Sequence, residues 1–440
     1  MRITCLAERV AFVSLSRSGQ SDAQIAHTYG WSVAAVRKWR RRGQHSASLT
    51  SHMGRPRTGS LGSLAPPVVQ QLRTWRQQHP GWGPITLLTQ AQQDRALAGE
   101  RLPSRASIAR WLKQEHLTKR YERHHDLPLP SPTTAQYPHH EWEMDAQGQQ
   151  CVGDAGWMSL INLNDRFSHV KLMSYPCWLG DTRVTRYPDA ADYQLALRLA
   201  FCEWGLPDRL AIDCGSMYRG TRSKSPFPTM WHLWLIALGI EAVIGPPGQP
   251  TKRAITERSH QTWQHQVLDG QRFASWDALW SALQARRPFV NQHLPCRSCG
   301  DLPPLCAHPE AGRPRRAYHP AAEAAHLDLS HIWMYLSQGR WFRRTNHHGV
   351  ANLGSQLYCL GKKWAGHDVE ISFDASDQHL IFQADSGQLT RRLPIKGITC
   401  QTLIGDLEPL IRLQAPQLAL PFSWHDWRMI RLSETLRATT

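Results

Sequence analysis

The chain has 440 residues, 41% hydrophobic and 20% charged, which is long enough for two to four domains with separate cores. Its longest apolar run, residues 230–244, contains His232, Gly239 and Glu241 and is too short to span a bilayer, which excludes a membrane-spanning class. The net charge of +16 is unevenly placed: residues 1–140 carry 20 Lys/Arg against 7 Asp/Glu, residues 141–310 carry 16 against 17, and residues 311–440 carry 15 against 11, the pattern of a polyanion-binding arm on a near-neutral body.

Glu8 and Arg9 interrupt the first apolar stretch, so no secretory signal is expected. Ten scattered cysteines suit free thiols in a reducing cytoplasm. Residues 1–50 are expected to form a helix-turn-helix unit. Ala7 to Arg17 reads as a helix stopped by Ser18-Gly19. Ser21-Asp22 then caps a short helix through Tyr29, with Gly30 at its end, and Ser32 caps a basic helix over residues 33–42. Val33, Val36 and Trp39 are expected to face the core, leaving Arg37, Lys38 and Arg41 for DNA. An ordinary three-helix bundle with a charged face is the plain alternative.

A second unit, residues 64–118, repeats the spacing: helices over 68–78 and 84–94, and a third capped by Ser104. Arg105, Arg110 and Lys113 are its candidate DNA contacts. Between the units stands Gly54-Arg55-Pro56-Arg57, repeated as Gly312-Arg313-Pro314-Arg315. Proline holds such a word extended, so Arg55 and Arg57 could follow a narrow minor groove; a simple linker is the equal alternative. Residues 119–138, rich in Pro, His and charge, are expected to be a linker.

Residues 139–309 read as strands over 142–147, 157–165, 169–175, 209–213 and 241–244, with helices over 190–204, 227–238, 252–268 and 276–291. That order predicts an α/β core, a mixed sheet with helices on its faces. Asp145 ends the run Trp142-Glu143-Met144-Asp145. Asp213 ends Leu210-Ala211-Ile212-Asp213, and Glu257 lies in the helical stretch Ala254-Ile255-Thr256-Glu257-Arg258. Two short acids at strand ends and a longer one on a helix can converge on a pair of divalent cations and serve phosphodiester chemistry. Asp154 and Asp208 read as turn residues, and Asp165 is the substitute if one acid is misplaced. Arg253, one turn before Glu257, and His260 and Gln261, about one turn after it, are placed beside the site to hold phosphate, or equally as solvated helix-face residues.

Cys296, Cys299, Cys306 and His308 have zinc-ligand types, but an ordered Pro-containing connection explains them as well, so no zinc ligand is assigned. Over residues 325–399, short runs such as 332–335, 357–360 and 369–373 separated by Gly, Asn and Asp predict a small all-β barrel. In the tail, residues 400–440, Leu403, Ile404, Leu407, Leu410 and Ile411 fall at helical spacing. Three aromatics follow between 422 and 427. This apolar surface is expected either on the protein's own core or on a partner.

The order Asp, Asp, Glu with the words IDCGSMY and ITERSHQTW resembles the catalytic core of retroviral-integrase-type DDE transposases, as does Phe289-Val290-Asn291 with the later Pro303-Pro304. The region after the core is similar to the barrel of phage-Mu-type and Tn7-type transposases. The resemblance implies a ribonuclease-H-like core in which the strands ending at Asp145 and Asp213 are neighbours. It also implies two Mg²⁺ ions (or Mn²⁺ in their place) held by Asp145, Asp213 and Glu257. The resemblance further implies that water attacks the phosphodiester at an element end, and that the freed 3′-hydroxyl then attacks target DNA. Double-stranded DNA ends and target, a homo-oligomer on paired ends and an ATPase helper are the implied partners. Two departures stand out: a step of 44 positions from Asp213 to Glu257, lengthened by the basic stretch 219–228, and Lys252-Arg253-Ala254 where a glycine often precedes the glutamate. The rivals are a DNA-binding regulator that has lost catalysis, and a ribonuclease-H-like nuclease that cleaves without joining.

Overall fold

A computed structural model describes residues 4–45, 49–50, 59–118, 135–183, 187–212, 225–244 and 254–414. The chain divides into two compact units, residues 1–63 and 64–440.

In the first unit, α1 (Leu6–Arg17), α2 (Asp22–Tyr29) and α3 (Val33–His45) enclose Phe12, Ile25, Ala26, Val36 and Trp39. Ser21 caps α2, and Gly30 ends it at φ 66°, a left-handed turn that costs glycine nothing. Val36 and Trp39 are buried as expected. Val33 is 39% exposed instead, because it sits in the first turn of α3, before the helix reaches the shared core. Arg37 and Arg40 both pair with Asp22, tying α3 to the start of α2. Buried Arg9 stacks over the Trp39 ring at 4.0 Å.

The second unit begins with α4 (Pro66–Gln78), α5 (Pro84–Gln93) and α6 (Arg105–Gln114), the last capped by Ser104. These helices are docked on the α/β body rather than standing apart. Trp82 Nε1 donates to Gln266 O at 3.2 Å, Gln266 Nε2 donates to Thr86 Oγ1 at 2.9 Å, and the Arg286 guanidinium lies between the Trp82 and Phe289 rings.

The body contains β1 (Glu141–Ala146), β2 (Gln150–Cys151), β3 (Trp157–Asp165), β4 (Lys171–Gly180), α7 (Ala190–Trp204), β5 (Arg209–Ile212), α8 (Met230–Ala237), β6 (Glu241–Ile244), α9 (Ala254–Trp263) and α10 (Trp276–Gln292). β3 pairs antiparallel with β1, β2 and β4, while β1–β5 and β5–β6 are parallel. This mixed sheet, with β1 and β5 as neighbours, is consistent with a ribonuclease-H-like core. Alternation gives it two unlike faces. Trp142, Met144, Ile161, Leu163, Met173 and Tyr175 form an apolar face, on which Trp142 meets Phe201 of α7 and Tyr175 meets Trp276 and Trp280 of α10. The opposite face carries Glu143 and Asp145, aligned with Asn164 and Asn162 on β3.

After α10 come α11 (Pro304–Ala307), α12 (Glu323–His326) and α13 (Leu329–Ser337). The expected strand over 332–335 is helix. Asp328 caps it, and Ile332 and Leu336, four apart, share its buried side; β-favouring Ile, Trp and Tyr had masked this helical stripe. Arg198 of α7 and Glu323 of α12 form a buried bidentate pair, both bonds at 2.8 Å, and Glu323 also accepts from Trp234 Nε1. The second Gly-Arg-Pro-Arg copy is a strap on this body: Arg315 stacks on Tyr137 at 3.9 Å, and the next residue, Arg316, donates to the carbonyls of Pro207, Leu238 and Gly239.

Antiparallel strands β7 (Trp341–Arg344), β10 (Asp368–Asp374), β11 (His379–Ala384) and β12 (Leu389–Pro394) form a four-stranded sheet, and β8 (Val350–Leu353) pairs with β9 (Gln356–Cys359). The single helical stripe expected after residue 400 is two helices, α14 (Cys400–Ile404) and α15 (Glu408–Gln414), because Gly405 at φ 63° stops the first. Leu403 and Leu410 are buried, and the Leu403 and Ile404 carbonyls accept from Gln194 and Arg198 of α7, so residues 400–414 belong to the body. Residues 415–440, including the aromatic segment, lie outside the described residues, as do Arg55 and Arg57. Among the described residues no helix is long and apolar enough to cross a membrane.

Candidate active site

Asp145 is the last residue but one of β1, and α9 lies across the face on which it stands. β1 turns polar at alternate positions there, so Glu143 and Asp145 face α9 while Trp142 and Met144 are buried on the other side. The Asp145 side chain is 25% exposed, and its Oδ2 lies 3.9 Å from His260 Nε2. Glu257 is exposed in the first turn of α9, three positions before His260, and residues three apart on a helix are neighbours on one face. Asp213, which follows the last residue of β5, lies outside the described residues, as does Arg253. In the β1–β5 register Glu143 is opposite Ala211.

Beneath α9 the sheet is unusually polar. Asn162 and Asn164 are fully buried on β3, and their amide nitrogens have no protein hydrogen-bond partner. The Oδ1 of Asn164 also lacks one, as do Ser259 Oγ and His260 Nε2 on the overlying helix. Leaving such groups unmatched typically costs about 1–3 kcal/mol each, so they are free to bond a ligand or ordered water. Asn162 Oδ1 accepts from Ser174 Oγ at 2.6 Å. Lys171 starts β4. Asn291 of α10 clamps its backbone through two 2.9 Å bonds, to the amide and to the carbonyl. Burial pushes the Lys171 ammonium down to about 8, against the opposing pull of Cys296 and Glu143. Burial, with Lys171 nearby, holds His260 down at about 4, so its imidazole is neutral near pH 7.

The acids that compete for a catalytic role have other work. Asp165 is buried and accepts from the amides of His139 and Ser168 and from the Ser168 hydroxyl, closing the β3–β4 turn. Burial raises its pKa. It aligns with Trp142 on β1, on the face away from Asp145. Asp208 accepts from Tyr137 Oη at 3.0 Å, and Asp154 is an exposed neighbour of Arg272.

The four zinc-type residues do not form a ligand set. Cys299 is buried and bonds Ser168 O, Cys306 bonds Gln292 O, and His308 leans on Phe167. Among the described residues no group of three or more His, Cys, Asp or Glu is arranged to hold a metal. The donor chemistry at Asp145 nonetheless fits a divalent cation. The Asp145 carboxylate, 25% exposed, lies 3.9 Å from a buried imidazole nitrogen without a hydrogen-bond partner, and Glu257 is exposed three positions earlier on the same helix.

Sequence reasoning missed Asn162, Asn164 and Lys171. Two asparagines at alternate positions in Leu160-Ile161-Asn162-Leu163-Asn164, in phase with Glu143 and Asp145, were the available signal; for Lys171 there was none. Of the DNA candidates, Arg37, Lys38 and Arg41 on α3 and Arg105, Arg110 and Lys113 on α6 are exposed.

No protein-family model matches the chain. Among solved structures, the integrase catalytic core of HTLV-2, determined with magnesium in a trimeric form, is 14% identical at a TM-score of 0.29, covering 39% of this chain and 97% of that one. A simian T-cell lymphotropic virus intasome, determined with the PP2A regulatory subunit B56 gamma, is 15% identical at 0.32, covering 71% of this chain and 97% of that one. A dimeric form of the HTLV-2 core gives 13% and 0.25. Likeness at this level transfers no activity, so the residues of this chain have to carry it.

Proposed function

We propose that the protein is a DDE-type transposase, which binds the ends of a DNA element and performs divalent-cation-dependent cleavage and strand transfer. The observation that supports this most is the strand-end carboxylate of Asp145 under a helix bearing Glu257 and an unpartnered His260 nitrogen, beside a parallel strand that Asp213 follows. Asp145, Asp213 and Glu257 would hold two Mg²⁺ ions, or Mn²⁺ in their place. Bound there, the ions would lower the pKa of an attacking hydroxyl and stabilise the leaving oxygen. The acids supply the negative charge that the ions neutralise, and Arg253 and the exposed Arg258 supply positive charge for the scissile strand.

The three helices of residues 1–50 act as a helix-turn-helix. Arg37, Lys38 and Arg41 read the element end and Asp22 fixes the angle of α3. Arg105, Arg110 and Lys113 add a second contact, Arg55 and Arg57 follow the minor groove, and the carboxy-terminal sheets act as a small barrel on flanking DNA. The protein works as a homo-oligomer on paired ends in a nucleoid-associated setting. Residues 415–440 dock an ATPase helper: deleting them spares end binding and cleavage and depresses complete transposition in cells.

The test is strand transfer. A duplex carrying the inverted repeats that flank the gene, incubated with a plasmid and Mg²⁺, gives a joined product. Cleavage without joining points to a nuclease instead, and binding alone to a regulator. Alanine at Arg37, Lys38 and Arg41 together weakens binding to that end far more than binding to random DNA.

A further inference from the structure

We propose that His260 Nε2 is a nitrogen donor to the divalent cation held at Asp145, so that the site takes Mn²⁺ in preference to Mg²⁺. This rests on the cation site proposed above and adds to it a ligand outside the three acids. The separation of 3.9 Å between His260 Nε2 and Asp145 Oδ2 is beyond hydrogen-bond reach, so the two groups do not satisfy each other. Bonds from imidazole nitrogen or carboxylate oxygen to a divalent ion are about 2.0–2.2 Å, so two donors on one ion stand roughly 3–4 Å apart.

The nitrogen itself is buried and has no hydrogen-bond partner, whereas a histidine kept only for packing would be expected to find one. The ring is also held from behind. Ser259 and Trp263 are fully buried on α9, so the helix has little freedom to rotate His260 away from the strand end. Mn²⁺ also favours oxygen ligands, but as a transition ion it accepts an imidazole nitrogen more readily than Mg²⁺, which demands a near-ideal octahedron and keeps its waters.

The experiment is electron spin-echo envelope modulation on the full chain loaded with Mn²⁺, with affinities for Mn²⁺ and Mg²⁺ measured in parallel. Wild-type protein shows the nitrogen modulation of a bound imidazole. His260→Asn loses it while still binding Mn²⁺, with affinity for Mn²⁺ reduced and for Mg²⁺ little changed. Binding of Mn²⁺ that depends on Asp145 but shows no nitrogen modulation, or modulation that survives in His260→Asn, overturns the ligand assignment and leaves the cation site standing. Mn²⁺ binding unaltered by Asp145→Asn overturns the cation site, and the ligand with it.

Discussion

The two faces of the central sheet are made from the same strands and do opposite things. Toward α7 and α10, Trp142, Met144, Leu163 and Tyr175 pack against Phe201, Trp276 and Trp280, and the indole nitrogens there are matched by backbone carbonyls: Trp204 Nε1 reaches Leu172 O and Trp276 Nε1 reaches Pro176 O. Toward α9, the same strands present Glu143, Asp145, Asn162, Asn164 and Lys171, and the buried amide nitrogens of Asn162 and Asn164 meet no protein acceptor. The first face supplies the stability that the second gives up. A site that must collect negative charge at one point is affordable only on a scaffold whose other side is closely packed.

Substitutions separate the two faces by size of effect. Trp142→Ala, on the packed face, is expected to cost about 3–5 kcal/mol in chemical denaturation, since it removes a fully buried indole. Breaking the nearby buried pair with Arg198→Ala should cost a similar amount, about 3–5 kcal/mol, because Glu323 keeps its bonds from Trp234 and Tyr318 but loses its paired cation while buried. On the polar face, Asn164→Leu should change stability by about 1 kcal/mol or less, in either direction, because it deletes an amide with no protein partner. A loss there as large as that of Trp142→Ala would show that the asparagine is structural and erase the contrast.

Titration gives a smaller but cleaner signal. Burial holds His169, His232 and His260 each at about 4 against an ordinary 6.5. Between those values the unfolded chain takes up protons that the folded chain refuses, so these histidines make stability fall as pH drops through 6.5 and level off below about 4. Lys171, at about 8 against 10.5, works the same way higher up: its contribution rises with pH from about 8 to about 10.5. Lys171→Met should flatten that upper limb and only partly weaken the lower one, which denaturation at a series of pH values would read. Burial rather than the Lys171 charge is the main cause holding His169 and His260 down, and the sole cause for His232.

How much of this was legible in the sequence follows from the same division. β3, β6 and α7 were read from the sequence at their observed bounds, because apolar runs interrupted by Gly, Pro and polar residues leave a local trace. α13 was misread because its helical stripe is written in residues that also favour strands. The docking of α4–α6 on the body depends on Trp82, Gln266 and Arg286, which are far apart in sequence and carry no local signature. At the candidate site, the placement of Asp145 near a strand end and of Glu257 on a helix was readable from the sequence, and His260 was noted beside them, but not its approach to Asp145. That pairing is tertiary, set by how α9 crosses β1.

The central claim is that the polar face is built to hold cations for phosphodiester cleavage. The most direct measurement is nicking of supercoiled plasmid by the full chain in Mg²⁺ or Mn²⁺, compared with Asp145→Asn, Asp213→Asn and Glu257→Gln proteins of unchanged melting behaviour. Nicking that requires the cation and vanishes in all three variants is the predicted result. Nicking that continues in chelator, or persists undiminished in Asp213→Asn or Glu257→Gln, would contradict it.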